Sequence, residues 1–147
     1  NFGYFMMFIG TFLIFNQYVM VKQFVKRFGD MQTLMIGHAF AIVGYILITY
    51  LYALPVYIGG YYVLNLGFSL IFPTLRSIVS IGAGEKTQGE VLGIDEAIGS
   101  ATGVIGPILG GILLGWIHGY VLLVLAGIMV VSLAVIYARR HHIIPLK

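Results

Sequence analysis

The 147-residue chain is too apolar to be a water-soluble domain. Its residues are 60% hydrophobic and 9% charged, and its mean hydropathy is +1.01, whereas a soluble domain carries about 25% charged residues. The net charge of +3 comes without a basic stripe, which argues against nucleic-acid binding, and the lack of cysteine excludes disulfides and thiolate metal sites. Composition therefore predicts an integral membrane protein.

Five apolar segments follow one another along the chain. They cover residues 2–21, 33–52, 56–80, 89–116 and 119–138. Each is close to or longer than the ~20 residues that cross ~30 Å of hydrocarbon as a helix. A membrane barrel would alternate polar and apolar residues, which these segments do not. We predict an all-α integral membrane protein in which residues 1–147 form one module of five transmembrane helices.

The cations predict the orientation of this module. They lie at or beyond the inner ends of the first, third and fifth segments: Lys22, Lys26, Arg27, Arg76, Lys86, Arg139, Arg140 and Lys147. The connections at residues 51–55 and 117–120 carry no Lys or Arg. The positive-inside rule then predicts a multi-pass protein of an inner, plasma-type membrane, with the N-terminus outside and the C-terminus in the cytoplasm.

The connections and the composition of the segments predict how the segments are arranged. The connections at residues 51–55 and 117–120 are short, so we predict one antiparallel hairpin of the second and third segments and another of the fourth and fifth. The second and fifth segments are almost wholly apolar, which predicts that they face lipid.

Because Asn1 already lies in an apolar segment with no signal-peptide features, we expect the chain to be truncated from a longer membrane protein.

The fourth segment carries a face of small residues. Gly99, Gly103, Gly106, Pro107 and Gly110 fall within about 100° of one another around a helix of 3.6 residues per turn. Such a face lets another helix backbone approach closely, and the proline removes a backbone donor. The face is either a tight packing seam or a seam that slides during a conformational cycle, and the two interpretations are compatible.

Three charged residues lie inside the segments. Asp95 and Glu96 occur in the fourth segment, and Arg76 in the third lies at a comparable depth, so it could pair with either acid. A carboxylate inside a membrane must face protein or water, and its protonation can be reversible, which suits proton coupling. Alternatively, the acids lie in the headgroup zone near a helix N-terminus, and Arg76 snorkels to the lipid phosphates.

The uncharged polar residues are less specific. Asn65, Asn16 and Gln17 are amides in the third and first segments, and they serve either helix contacts or the substrate cavity. His38 is predicted to be a packing histidine. No metal-ligand spacing, nucleophile motif or phosphate-binding loop occurs, so the sequence predicts no metal, no cofactor and no enzyme.

Two motifs resemble the C-terminal half of major facilitator superfamily transporters. Residues 21–30 resemble the family's cytoplasmic loop motif, with Arg27 and Gly29 matching its basic-x-Gly core and with Lys26 and Asp30 at its other charged positions, where the charges are exchanged. Residues 99–111 are similar to the G-x-x-x-G-P-x-x-G-G signature common in drug:proton antiporter branches.

The resemblance implies a role for every segment. The five helices would be the last five of twelve, in a C-terminal six-helix bundle, with the first, third and fourth lining a cavity. The implied function is alternating-access, proton-coupled export of a small molecule, a drug or a metabolite. The implied partners are the lipid bilayer, the small-molecule substrate, and the missing N-terminal half and first C-half helix of the same transporter. The alternatives are a non-transporting scaffold subunit and a membrane enzyme that acts on lipid.

Overall fold

The computed structural model describes residues 3, 4, 7, 10, 11, 14, 17–50 and 53–143. A π-helical turn, Gln17–Val21, leads directly into helix α1, Lys22–Tyr50. Helix α2 covers Leu54–Ile117, and a 3₁₀ turn, His118–Tyr120, joins it to helix α3, Val121–Ile143. The described part of the chain is thus almost entirely helical, as the composition predicts.

Glycines with positive φ break the two longest helices. Gly29 in α1 has φ 79° and ψ 167°, and Gly84 in α2 has φ 69° and ψ 166°. At positive φ combined with ψ near 166°, a conformation that is essentially restricted to glycine, a residue with a Cβ would lose roughly 1–3 kcal/mol, which explains glycine at both positions. The break divides α2 into a first arm, residues 54–83, and a second arm, residues 85–117. Residues 22–32, which sequence alone places outside the apolar segments, are helical apart from Gly29.

Helix α1 and the first arm of α2 form a closely packed antiparallel hairpin. Pro55 lies in the first turn of α2, and the amide groups of Val56 and Tyr57 donate to the Ala53 carbonyl at 3.0 and 2.9 Å. A Cβ added at Gly44 would lie 2.6 Å from the Leu64 nitrogen. The two backbones are therefore in direct contact, as the short connection between the second and third segments predicts.

Helix α3 packs against α1 and not against the second arm. Its Leu122, Leu125, Met129 and Ile136 pack on the buried apolar cluster, to which no described residue of the second arm belongs. The predicted pairing of the fourth and fifth segments is thus not the main contact of α3. The second segment, predicted to face lipid, lies between two helices, although Val43 and Ile46 of α1 stay exposed. Apolarity alone does not distinguish a face that contacts lipid from one that contacts another helix.

The cation-rich ends of the helices lie together. Residues 28–39 of α1 line one groove with residues 130–140 of α3, and His38 contacts Ser132, so α3 runs antiparallel to α1. The first arm is also antiparallel to α1. The start of α1, the Gly84 break and the end of α3 therefore share one end of the molecule, whereas residues 53 and 118–120 lie at the other.

Three stretches of the described residues are long and apolar enough to cross a membrane. They are Val19–Tyr50, Pro55–Gly84 and Thr87–Arg140. The last has 54 residues and contains the 3₁₀ turn. These stretches indicate a membrane protein. Most of the predicted first span, residues 2–21, lies outside the described residues, so the count of five crossings stays a prediction.

Candidate functional site

An ion cluster joins the two arms of α2. The Arg76 guanidinium donates to Glu96 Oε2 at 2.8 Å, and Arg76 Nε lies 3.9 Å from Asp95 Oδ2. Arg76 is on the first arm, and the two acids are on the second. The structure thus brings together the three charged residues that the sequence places at a comparable depth.

The break at Gly84 makes this cluster possible. Arg76 and Glu96 are 20 residues apart in the chain, so in a straight helix they would be about 30 Å apart. The second arm folds back beside the first, and a further hydrogen bond, from the Gln88 side-chain amide to the Ser80 hydroxyl, joins the arms closer to the break. The cluster therefore depends on a backbone conformation that glycine provides.

The cluster contains one cation and two carboxylates. The side chains of Arg76, Asp95 and Glu96 are 63%, 33% and 68% exposed. In hydrocarbon each charged group would cost about 2.5–3.5 kcal/mol, so such groups face protein or a water-filled cavity. One carboxylate balances the guanidinium, and the other leaves the cluster with a net negative charge. The structure thus places an uncompensated carboxylate between the two arms.

The predicted amide candidates give a mixed result. The Asn65 side chain donates to the Tyr61 carbonyl of its own helix at 2.8 Å and is only partly buried, so this hydrogen bond does not join two helices. Gln17 begins the π-helical turn, but its side chain lies outside the described part of the chain, as does all of Asn16. The role of these two residues stays a prediction.

The small-residue face lies on the second arm and has no partner there. Added Cβ atoms at Gly99, Gly103, Gly106 and Gly110 would meet nothing within 4 Å. Every residue from 97 to 109 is exposed, and Pro107 lies inside the helix without ending it. Within the described part of the chain, no second helix packs on the predicted seam.

The residues of the predicted loop motif surround the break in α1. Arg27 lies over the Phe28 ring, with its guanidinium carbon 5.6 Å from the ring centroid, and Lys26 is exposed. Asp30 follows Gly29 at the start of the next helical stretch, where a negative charge is favourable. The Thr33 hydroxyl donates to the Gly29 carbonyl at 2.7 Å. The positive φ of Gly29 explains why this motif has glycine here.

A buried hydrogen bond links α1 and α3, and the sequence predicted only one of its two residues. His38 Nδ1 donates to the Leu34 carbonyl at 2.9 Å, and Nε2 is hydrogen-bonded to the Ser132 hydroxyl at 3.1 Å. This confirms the prediction of a satisfied packing histidine. Ser132 was missed, although a lone hydroxyl in a nearly uniform apolar segment is a signal for a partner on another helix.

Comparison with known proteins adds no identification. No protein-family model, curated protein or solved structure matches the chain. Evidence for function therefore comes from the chain's own residues.

Proposed function

We propose that this chain is part of a secondary active transporter that exports a small molecule in exchange for protons. The observation that carries the proposal is the Arg76–Asp95–Glu96 cluster between two long apolar arms. A membrane protein keeps charges at such positions at a free-energy cost, which makes a functional role the default interpretation. The likeness of residues 21–30 and 99–111 to major facilitator motifs gives the proposal its family.

The proposed coupling uses the extra carboxylate of the cluster. When a proton binds one acid, the remaining acid still pairs with Arg76, and the net charge between the arms becomes zero. A neutral cluster crosses between two conformations more easily than a charged one, because less hydration is lost. Glu96 forms the shorter contact with Arg76, and Asp95 is the less exposed acid, so we assign the exchanged proton to Asp95 and the structural pairing to Glu96.

The proposed topology has five crossings. The 54-residue stretch Thr87–Arg140 crosses twice, since one crossing takes ~20 residues, and the turn His118–Tyr120 faces outside. The end that carries Lys26, Arg27 and Arg140 is cytoplasmic. Support comes from the antiparallel packing of α1 with both the first arm and α3, which collects the cations at one end.

Transport in everted vesicles tests the coupling. With an imposed proton gradient and a fluorescent lipophilic cation as the probe, Asp95→Asn should abolish gradient-driven uptake and its pH dependence. Glu96→Gln should weaken uptake while keeping the pH dependence. Glu90→Gln is the matched control, because Glu90 is an exposed acid of the same arm that does not contact Arg76 in the described ion pairs.

A charge exchange separates coupling from packing. Combining Arg76→Glu with Glu96→Arg keeps an ion pair between the arms, so uptake lost in Glu96→Gln should partly return. If Asp95→Asn and Glu96→Gln both leave uptake and its pH dependence at the level of Glu90→Gln, the cluster has no part in coupling and the proposal is wrong.

The lack of cysteine makes the topology directly testable. Single cysteines at Lys26, Lys86 and Arg139 should react with a membrane-impermeant thiol reagent only from the cytoplasmic side. Cysteines introduced at Ala53 and Gly119 should react only from outside. Labelling of Lys26→Cys and Ala53→Cys from the same side would refute the proposed threading of the chain.

A further inference from the structure

A large apolar groove lies between α1 and α3, at a distance from the ion cluster. It has a volume of about 1100 Å³ and is lined by residues 28–39 of α1 and residues 130–140 of α3. Its walls are mainly apolar, with Met31, Met35 and Ile36 facing Val130, Leu133 and Ala134. The volume of the groove is at or above the upper end of the ~300–1,000 Å³ that is typical of small-ligand pockets.

The two ends of the groove differ in polarity. At the end that collects the cations, Tyr137, Arg140 and Asp30 line the groove, and the Arg140 guanidinium stacks on the Tyr137 ring at 4.1 Å from its centroid. Lys26, Arg27 and Arg139 are exposed nearby in sequence. The opposite end, at Ala39 and Val130, is wholly apolar. Arg140 is the one cation and Asp30 the one carboxylate of the lining. The further cations Lys26, Arg27 and Arg139 give the surroundings of this end a net positive charge, which favours an anionic headgroup above an apolar tail.

The length of the groove distinguishes a lipid from a helix. Val130 and Arg140 are ten residues apart, which corresponds to ~15 Å along α3, or about half of the ~30 Å hydrocarbon thickness. A partner helix would need a groove over the full thickness. A phospholipid of one leaflet needs only half of it, with its phosphate at the boundary.

We propose that this groove binds an anionic phospholipid of the leaflet on the cation-rich side. Its acyl chains lie between α1 and α3, and its phosphate lies against Arg140, which is held in place by the Tyr137 ring. Asp30 limits the negative charge that the site accepts and favours a headgroup with a single phosphate. The inference rests on the membrane placement in the proposed function but not on transport.

Quenching by brominated lipids tests the site in the full chain. The fluorescence of Val130→Trp, made in a Trp116→Phe background, reports on lipid contact at the apolar end of the groove in phosphatidylcholine vesicles. We expect brominated phosphatidylglycerol to quench it more strongly than brominated phosphatidylcholine. The unsubstituted chain is the positional control, since Trp116 is near the opposite end of the molecule and should show no preference for either headgroup.

Matched substitutions locate the headgroup and the acyl chains. Arg140→Gln should lower the relative affinity for phosphatidylglycerol roughly five-fold, the equivalent of ~1 kcal/mol per cation at a membrane surface. Arg139→Gln removes the same charge outside the groove lining and should have a clearly smaller effect than Arg140→Gln. Ala134→Phe fills the groove and should reduce quenching by both lipids, whereas Ala138→Phe, outside the lining, should not.

Three results would overturn the proposal: equal quenching by the two lipids, equal effects of Arg139→Gln and Arg140→Gln, or equal effects of Ala134→Phe and Ala138→Phe. The first would make the groove unselective, the second would make the preference a general surface-charge effect, and the third would leave the acyl chains outside it. The helical content of each variant, measured by circular dichroism, verifies that it is folded. Because these assays need no substrate, their failure is distinguishable from loss of coupling at Asp95.

Discussion

The glycines of the α1 hairpin and those of the second arm of α2 have opposite surroundings. Gly37, Gly44, Gly60 and Gly67 lie where an added Cβ would come within about 3.1 Å of the facing helix. Gly99, Gly103, Gly106 and Gly110 lie on an equally regular face with open space around them. The first group has its partner within the described chain, and the second does not. A small-residue face therefore shows that a helix can be approached closely, but not by which partner.

The largest effect is expected where backbones touch. Gly44→Ala and Gly67→Ala would place a methyl group 2.6 Å from backbone nitrogens of the facing helix, which neither helix can accommodate without shifting. We expect each substitution to lower the free energy of unfolding by about 3 kcal/mol, the upper part of the usual overpacking range. Unfolding in mixed micelles, followed by energy transfer between dyes on Lys26→Cys and Ile81→Cys, measures this.

Glycine substitutions in the second arm are expected to have the opposite effect on stability. Gly99→Ala and Gly103→Ala meet no atoms and improve helix propensity, so they should stabilise the isolated chain by up to roughly 1 kcal/mol each. Destabilisation comparable to that of Gly44→Ala would mean that the face is covered, and would erase the contrast between the two regions.

The next largest effect concerns the breaks that separate the regions. Gly84→Ala forces a Cβ into a positive-φ conformation that is essentially restricted to glycine and should cost roughly 1–3 kcal/mol. It should also separate Arg76 from Glu96, because a straightened helix moves the arms apart. Gly82→Ala is the control, since Gly82 is in open space with no positive φ. The distance between spin labels on Ser77→Cys and Ala97→Cys measures the arms, and an unchanged distance in Gly84→Ala would contradict the explanation.

A smaller effect is expected for the link between α1 and α3. Ser132→Ala and His38→Phe each remove one partner of a buried hydrogen bond, and a double-mutant cycle should give a coupling of about 0.6 kcal/mol, with ~1.7 kcal/mol as the upper limit seen for such bonds in membranes. The dye-labelled unfolding assay, with labels moved to Lys26→Cys and Arg139→Cys, measures it. Additive effects of the two substitutions would show that the bond does not stabilise the packed region.

A change of stability close to zero, or a slight gain, is expected at the buried hydroxyl of Thr74. Thr74 is 1% exposed, and its hydroxyl has no hydrogen-bond partner among the described residues. Thr74→Val should leave stability unchanged or raise it by up to about 1 kcal/mol, because an unpaired buried hydroxyl is unfavourable. Thr102→Val, on the exposed arm, is the matched control. Clear destabilisation by Thr74→Val would show that the hydroxyl has a partner in the working protein.

The sequence predicted the helical class and the first hairpin, because each depends on composition or on short connections. It left contact of Arg76 with Asp95 or Glu96 as one of two alternatives, the other being contact with lipid phosphates. It did not predict that α3 packs on α1, since the leucine and valine faces of these helices are equally suited to lipid. The breaks at Gly29 and Gly84 lie in the connections that the sequence places between segments, at residues 22–32 and 81–88. The positive φ of these two glycines was not predicted, because the sequence alone does not show the direction that the helices on either side take.

The hydrogen bond between His38 and Ser132 has a consequence for biosynthesis. The two residues are 94 positions apart, so at 5–20 residues per second the ribosome needs about 5–19 s to supply the second after the first. During that interval the imidazole of a newly inserted α1 has no serine to satisfy it. A nascent chain interrupted before Ser132 would therefore display an incomplete polar site to the membrane, a feature by which quality control could distinguish unfinished copies from finished ones.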